Sequence, residues 1–122
     1  MLIRMGFSFK KLLVWQKSMD FAEKCLSVTD GIKGHYRLCE QAEAASASVP
    51  QNIAEGNGRV STKEYIHFLY ISRGSLYETI TLLNLFERKG LLDKAMLTEL
   101  ESQGLEIVKM LNSLITKQRQ YL

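Results

Sequence analysis

The sequence predicts an all-α chain folded as an antiparallel, up-down-up-down four-helix bundle, and three observations carry that reading. A single proline stands in 122 residues, where about six are average, while Leu alone supplies 18 residues; the pairing favours helices over strands. Gly31, Gly34, Gly56, Gly58 and Gly90 divide the chain into four segments of 20 to 30 residues with short connections of the kind helix pairs use. Within the segments, apolar residues recur at alternating spacings of three and four, the period of a bundle seam. The expected helices are about 9–30, 35–56, 62–89 and 93–119 in one domain covering residues 1–122.

In the first helix, Leu12, Trp15, Met19, Ala22 and Leu26 fall on one stripe, which is read as its core seam. The second has a thin surface of Ala42, Ala44, Ala45, Ser46, Ala47 and Ser48, so it should pack closely. Pro50 lies in its path, removes an N–H and releases the carbonyl of Ser46, which predicts either a kink or a restart with Pro50 in a first helical turn. This helix should end near Gly56. The third opens with Ser61 and Glu64, an S-x-x-E capping box, and closes at Gly90 after Arg88 and Lys89. It carries two apolar seams, Tyr65, Leu69, Leu76, Leu83 and Phe86 on one and Phe68, Ile71, Leu82 and Leu85 on the other. One core needs one seam, so the second either covers the bundle flank or meets another subunit. In the fourth helix, Leu97, Leu100, Gly104, Ile107, Leu111 and Leu114 repeat the bundle period. Gly74 and Gly104 lie inside helices, where each costs about 1 kcal/mol relative to Ala, and close backbone approach is the expected compensation.

Composition narrows the function classes. At 46% hydrophobic, 24% charged and 9% aromatic, the chain reads as an ordinary globular protein. No uninterrupted apolar run exceeds four residues, against the ~18 a membrane span needs, and no signal-peptide stretch opens the chain, so no membrane role and a cytoplasmic location are expected. The net charge of +3 is too mild for a dedicated nucleic-acid binder as a monomer. By segment, residues 1–40 carry seven Lys and Arg against four Asp and Glu, 41–80 three against four, and 81–122 six against five. The excess sits at the N-terminal end.

The candidate chemistry is thin, and no enzyme, metal or cofactor is expected. Glu64 and His67 form the one Glu-x-x-His motif, whereas a two-metal bundle site calls for two; His67 reads as a surface or interface side chain. Cys25, Cys39 and His35 show no activating arrangement, and the thiols read as buried small hydrophobes. Gly56-Asn57-Gly58-Arg59 precedes a helix and could cradle a phosphate on backbone N–H groups, although a turn with left-handed glycines is the preferred reading. The most unusual stretch runs from Ser48 through Pro50, Asn52 and Glu55 to Gly56. Val49 and Ile53 should point into the core, leaving Asn52 and Glu55 close to it, and polar groups near a core need partners. Ser75 and Glu78 on the third helix, flanking the region after Gly74, are the expected partners in a hydrogen-bonded network. The sharper alternative is a pocket with Glu55 and Glu78 as paired carboxylates, for which no nucleophile, His or cation stands at a matched spacing.

These residues also carry a likeness. Ser48-Val49-Pro50-Gln51-Asn52-Ile53-Ala54-Glu55-Gly56, then Arg59, Glu64-Tyr65 and Arg73-Gly74-Ser75-Leu76-Tyr77-Glu78, resemble the small four-helix-bundle proteins encoded in intervening sequences of bacterial large-subunit (23S) ribosomal RNA genes. The opening Leu12-Leu13-Val14-Trp15-Gln16-Lys17-Ser18 is similar to that family's first helix, so the likeness spans about residues 9–115. It implies a ring-like homopentamer without enzymatic activity, with RNA or another polyanion as a partner beside the chain itself. Five copies would concentrate a charge of +3 each around one ring. Family members carry two Arg just before the Ala/Ser run, where Glu43 and Ala44 stand here. The candidate nucleic-acid contacts are then Lys10, Lys11, Lys17, Lys24, Arg37, Arg59, Lys63 and Arg73, with no common face assigned to them. The other reading is a protein-interaction adaptor whose partner covers the apolar seam or the Asn52/Glu55 region.

Overall fold

The structure is a computed structural model that describes residues 6–122. A 3-10 turn over Ser8–Lys11 leads into four helices: α1 (Leu13–Asp30), α2 (Tyr36–Asn57), α3 (Thr62–Arg88) and α4 (Lys94–Arg119). No strand occurs among the described residues. Each helix packs on two neighbours, α1 on α2 and α4, and α3 on α2 and α4, with no direct packing across the diagonals. The section is therefore a square, and the α1/α2 side lies opposite the α3/α4 side. The α2/α3 pair is the most extensive contact.

The first helix starts later than its apolar pattern predicts because nothing caps it earlier. Leu12 is extended, at φ −74° and ψ 122°, and offers no side-chain acceptor. The one nearby hydroxyl, Ser8 Oγ, donates instead to Asn57 Oδ1 at 3.1 Å, tying the 3-10 turn to the end of α2. Gln16 Nε2 then donates to the Lys10 carbonyl at 2.7 Å and closes the junction.

The core face of α1 differs from the expected stripe. Val14, Ser18, Phe21, Ala22, Cys25 and Thr29 are buried, whereas Met19 and Leu26 are 45% and 42% exposed. Two stripes at bundle spacing run along this helix, one residue apart, and the pattern of apolar residues alone selects the wrong one. Ser18 and Thr29 disguise the true one, since their hydroxyls bond backward to the carbonyls of Val14 (2.7 Å) and Leu26 (3.0 Å) and so enter the core already satisfied. Thr29 Oγ1 also donates to Glu43 Oε2 at 2.6 Å, across α1 and α2.

Gly34 and His35 both adopt positive φ, 80° and 53°, to turn the chain into α2. The helix then runs through Pro50 without a restart. Pro50 is buried, and Ser72 Oγ from α3 donates to the preceding Val49 carbonyl at 2.8 Å, so the backbone at the proline is held from the neighbouring helix. The expected left-handed glycine turn is absent: Gly58 sits at φ −81°, and Gly56 is still helical. Gly56 is small for another reason. A Cβ there would stand 2.9 Å from both Phe68 Cβ and Tyr65 Cδ1 and 3.2 Å from the Tyr65 carbonyl, so α2 and α3 meet at this glycine.

The start of α3 is capped as expected on one side only. Glu64 N donates to Ser61 Oγ at 3.3 Å, while the Glu64 carboxylate turns toward Arg59 at 3.8 Å. The helix ends before Gly90, whose φ is 75°. Asp93 caps α4 by accepting from Met96 N at 2.7 Å. Leu69, Leu76, Leu83 and Phe86 of the first α3 seam are fully buried, with Tyr65 half-buried. The second seam does not hold together. Leu82 joins the core, Phe68 is half-buried, and Ile71 and Leu85 face outward. The α4 seam is as expected except at its end, where Ile115 rather than Leu114 is buried. Gly104 brings α4 against α3, with Ile80 Cδ1 3.1 Å from where a Cβ would be; Gly74 is exposed and meets nothing within 4 Å, so close approach does not account for it.

Candidate functional site

The polar stretch of α2 forms a smaller network than its sequence suggests. Ser48 Oγ and Ser75 Oγ share a hydrogen bond of 2.8 Å, and Asn52 Nδ2 donates to both the carbonyl and the hydroxyl of Ser48 at 2.8 Å. Glu55 and Glu78 take no part. Glu55 is exposed and accepts from Arg59 at 3.0 Å, and Glu78 is exposed and accepts from Gln41 at 3.4 Å. With Ser48 opposite Ser75, Glu78 lies about ten residues of α2 from Glu55, or ~15 Å at 1.5 Å per residue, so the two are no carboxylate pair. Ser48, Asn52 and Ser75 therefore pin α2 to α3, and Gly56 on the same helix lets the two backbones approach.

The thiols are arranged for burial. Burial pushes the Cys25 thiol up to about 12, and burial together with the nearby Glu43 carboxylate raises that of Cys39, so both stay protonated and poorly nucleophilic. His67 is exposed beside the Phe68 ring, and no group of three or more His, Cys, Asp or Glu among the described residues is placed to hold a metal.

The eight basic candidates divide into three groups. Lys17 and Lys24 bridge α1 to α4, at 2.9 Å from Glu106 and 3.3 Å from Glu99. Arg37 stands at the start of α2, at the opposite end of the bundle from Lys10, Lys11, Arg59 and Lys63. Lys10, Lys11, Arg59, Lys63 and Arg73 gather toward the end where α1 and α3 begin and α2 and α4 finish. There Arg59 pairs with Glu55 and Glu64 and covers the Phe68 ring at 4.8 Å, and Arg73 donates to Asn112 Oδ1 at 2.7 Å while lying over Tyr70. Lys10, Lys11 and Lys63 make no ion pair among the described residues.

This gathering extends to charges that the sequence left unconnected. Residues 6–21, 47–75 and 107–122 form this half of the bundle and carry nine Lys and Arg against three Asp and Glu. Residues 22–46 and 76–106 form the other half and carry six against ten. The fold thus separates a nearly neutral chain into a basic end and an acidic end. Lys109, Lys117 and Arg119 of α4 join the basic end, and Arg119 donates to the Tyr70 hydroxyl across to α3.

Two apolar surfaces complete the picture. Between α1 and α2, Trp15, Met19, Leu26, Ala47, Pro50 and Ala54 line a groove of about 660 Å³. On the opposite side, Tyr77 and Leu105 are 55% and 62% exposed beside a smaller cleft of about 240 Å³ at Gly104. The stripe read as the core seam of the first helix is largely the lining of the first groove.

A model of the 23S rRNA-intervening sequence protein family matches residues 10–113 of the chain. Among solved structures, a protein of unknown function from the S23 ribosomal protein family of Bacteroides thetaiotaomicron superposes with a TM-score of 0.78 at 24% identity, over 84% of this chain and 98% of that one. That likeness bears on the fold, which the two share. No curated protein sequence matches the chain.

Proposed function

We propose that this chain, which belongs to the 23S rRNA-intervening sequence protein family, acts without catalysis as a homo-oligomeric binding or scaffold protein that associates with RNA through its basic end. The separation of charge along the bundle carries this reading. Nine cations against three anions on one end make a local field that a net charge of +3 conceals, and a polyanion is drawn to local potential rather than to net charge. Lys10, Lys11 and Lys63 are its principal contacts because no carboxylate among the described residues neutralises them.

Assembly is the second half of the proposal. Apolar faces on opposite sides of a bundle favour head-to-tail contact, the α1/α2 groove of one copy receiving the α3/α4 side of the next, and such contacts form a ring when the rotation between copies closes. The ring is proposed as a pentamer, with the basic ends gathered on one rim.

The native mass of protein purified gently from its own cells, taken before and after nuclease, tests both halves. A mass near five times 13.9 kDa, with a further component that nuclease removes, is expected. A monomer overturns the assembly reading. A bare oligomer unchanged by nuclease favours a second reading, in which the α1/α2 groove of about 660 Å³ makes the protein an interaction adaptor with no nucleic-acid role; a partner then co-purifies regardless of nuclease.

A further inference from the structure

We propose that the basic end takes an unpaired nucleobase, stacked on Phe7, so that its ligand is single-stranded rather than duplex nucleic acid. The proposal rests on the polyanion reading above and names the form of the polyanion. Phe7 is 69% exposed, its ring stacks on Phe9 at 5.6 Å and 29°, and Phe9 in turn leans on Trp15 at 5.2 Å. An exposed aromatic ring backed by a second ring is what single-strand binders offer to a base, because every base has a π-face.

The space beside Phe7 suits such a guest. A cleft of about 550 Å³ opens there, with the polar groups of Gln51, Glu55 and Asn57 along one wall, within the ~300–1,000 Å³ of small-molecule sites. Asn57 is held by Ser8 and Tyr65 and Glu55 by Arg59, which leaves the Gln51 amide at that wall to meet the hydrogen-bonding edge of a base. In a duplex that edge is paired and hidden, and the grooves of A-form RNA do not present it to a shallow cleft. Glu55 also dictates where the phosphates go. Its carboxylate occupies Arg59 at 3.0 Å, the cation that lines the same cleft, so the backbone runs along Lys10 and Lys11, which follow Phe7 and Phe9 on the same 3-10 turn and make no ion pair among the described residues. Base stacking and phosphate attraction thus come from one short segment. The cleft shares Phe9, Gln51 and Ala54 with the α1/α2 groove, which places it at the edge of the proposed subunit contact.

The test is fluorescence anisotropy on the intact protein, using a labelled single-stranded oligoribonucleotide and the same strand annealed to its complement, at one salt concentration. The single strand should bind at least tenfold tighter than the duplex. Phe7→Ala should lose about tenfold toward the single strand, as loss of a stacking ring does, with its salt dependence unchanged and its melting temperature near that of the wild type; Phe7→Trp should retain binding. A strand carrying 2-aminopurine should be quenched on binding the unsubstituted protein, a readout independent of any variant. If Phe7→Ala binds both probes as the wild type does and 2-aminopurine is not quenched, while Lys10→Ala/Lys11→Ala weakens both, the stacking site is overturned and the polyanion reading stands. If neither probe binds, both are overturned.

Discussion

Ser48 on α2 and Ser75 on α3 share a hydrogen bond of 2.8 Å at the most extensive helix contact of the bundle. Both side chains are small, so the bond forms only because the helices are close, and Asn52 completes it by donating to the Ser48 hydroxyl at 2.8 Å. Removing Ser75 leaves Ser48 with Asn52 alone. Ser75→Ala should therefore cost about 1 kcal/mol of stability, and a double-mutant cycle with Ser48→Ala should return a coupling of ~0.5–1.5 kcal/mol. Additive denaturation midpoints would show that the bond contributes nothing beyond its parts.

Two helical glycines should answer oppositely to the same substitution. Gly56→Ala places a methyl 2.9 Å from Phe68 Cβ and Tyr65 Cδ1 and should cost ~1–3 kcal/mol through overpacking. Gly74→Ala meets nothing within 4 Å on an exposed helix surface, and its gain in helix propensity should stabilise by about 0.5–1 kcal/mol. Urea unfolding of the two variants checks both signs.

Core and groove residues should separate stability from assembly. Leu76 is fully buried on α3, so Leu76→Ala should cost ~2–5 kcal/mol. Met19→Asp, on the half-exposed wall of the α1/α2 groove, should leave the folded monomer within about 1 kcal/mol of the wild type while lowering the native mass. Chemical denaturation and light scattering on each variant give the two readouts.

Cys25 makes stability fall at alkaline pH. Burial pushes its thiol up to about 12 from the ordinary 9.0, so the folded chain keeps a proton that the unfolded chain releases. The stabilisation is complete below about pH 9 and is lost as pH rises through 9 toward 12, at up to ~1.4 kcal/mol per unit. Cys25→Ala should flatten that part of the stability curve relative to the wild type, measured by urea midpoints across the range. The same burial should keep Cys25 unreactive toward thiol reagents until the protein unfolds.

Much of the fold was legible because helix periodicity and end signals are local. Four helices, the Ser61 cap and the stop at Gly90 follow from neighbours in the chain. The core face of α1 was not legible, because Ser18 and Thr29 enter the core by bonding to their own helix, and Trp15, Met19 and Leu26 imitate a seam. The role of Gly56 was hidden too, since its close contacts, Tyr65 and Phe68, lie on the next helix. Charge separation was invisible for a topological reason. An antiparallel bundle returns the chain to each end every second helix terminus, so windows of forty residues average the two ends. Lys10, Lys63 and Lys117 stand far apart in sequence and belong to one end in space.

The most direct measurement is the salt dependence of RNA binding for two triple variants of the intact protein. In Lys10→Ala/Lys11→Ala/Lys63→Ala, the slope of log affinity against log salt should fall by about two units for a single strand, at ~0.7 per lost phosphate contact. In Lys33→Ala/Arg37→Ala/Lys94→Ala, which removes the same charge from the acidic end, the slope should not move. Equal changes in the two variants, or a change only in the second, would contradict binding through the basic end.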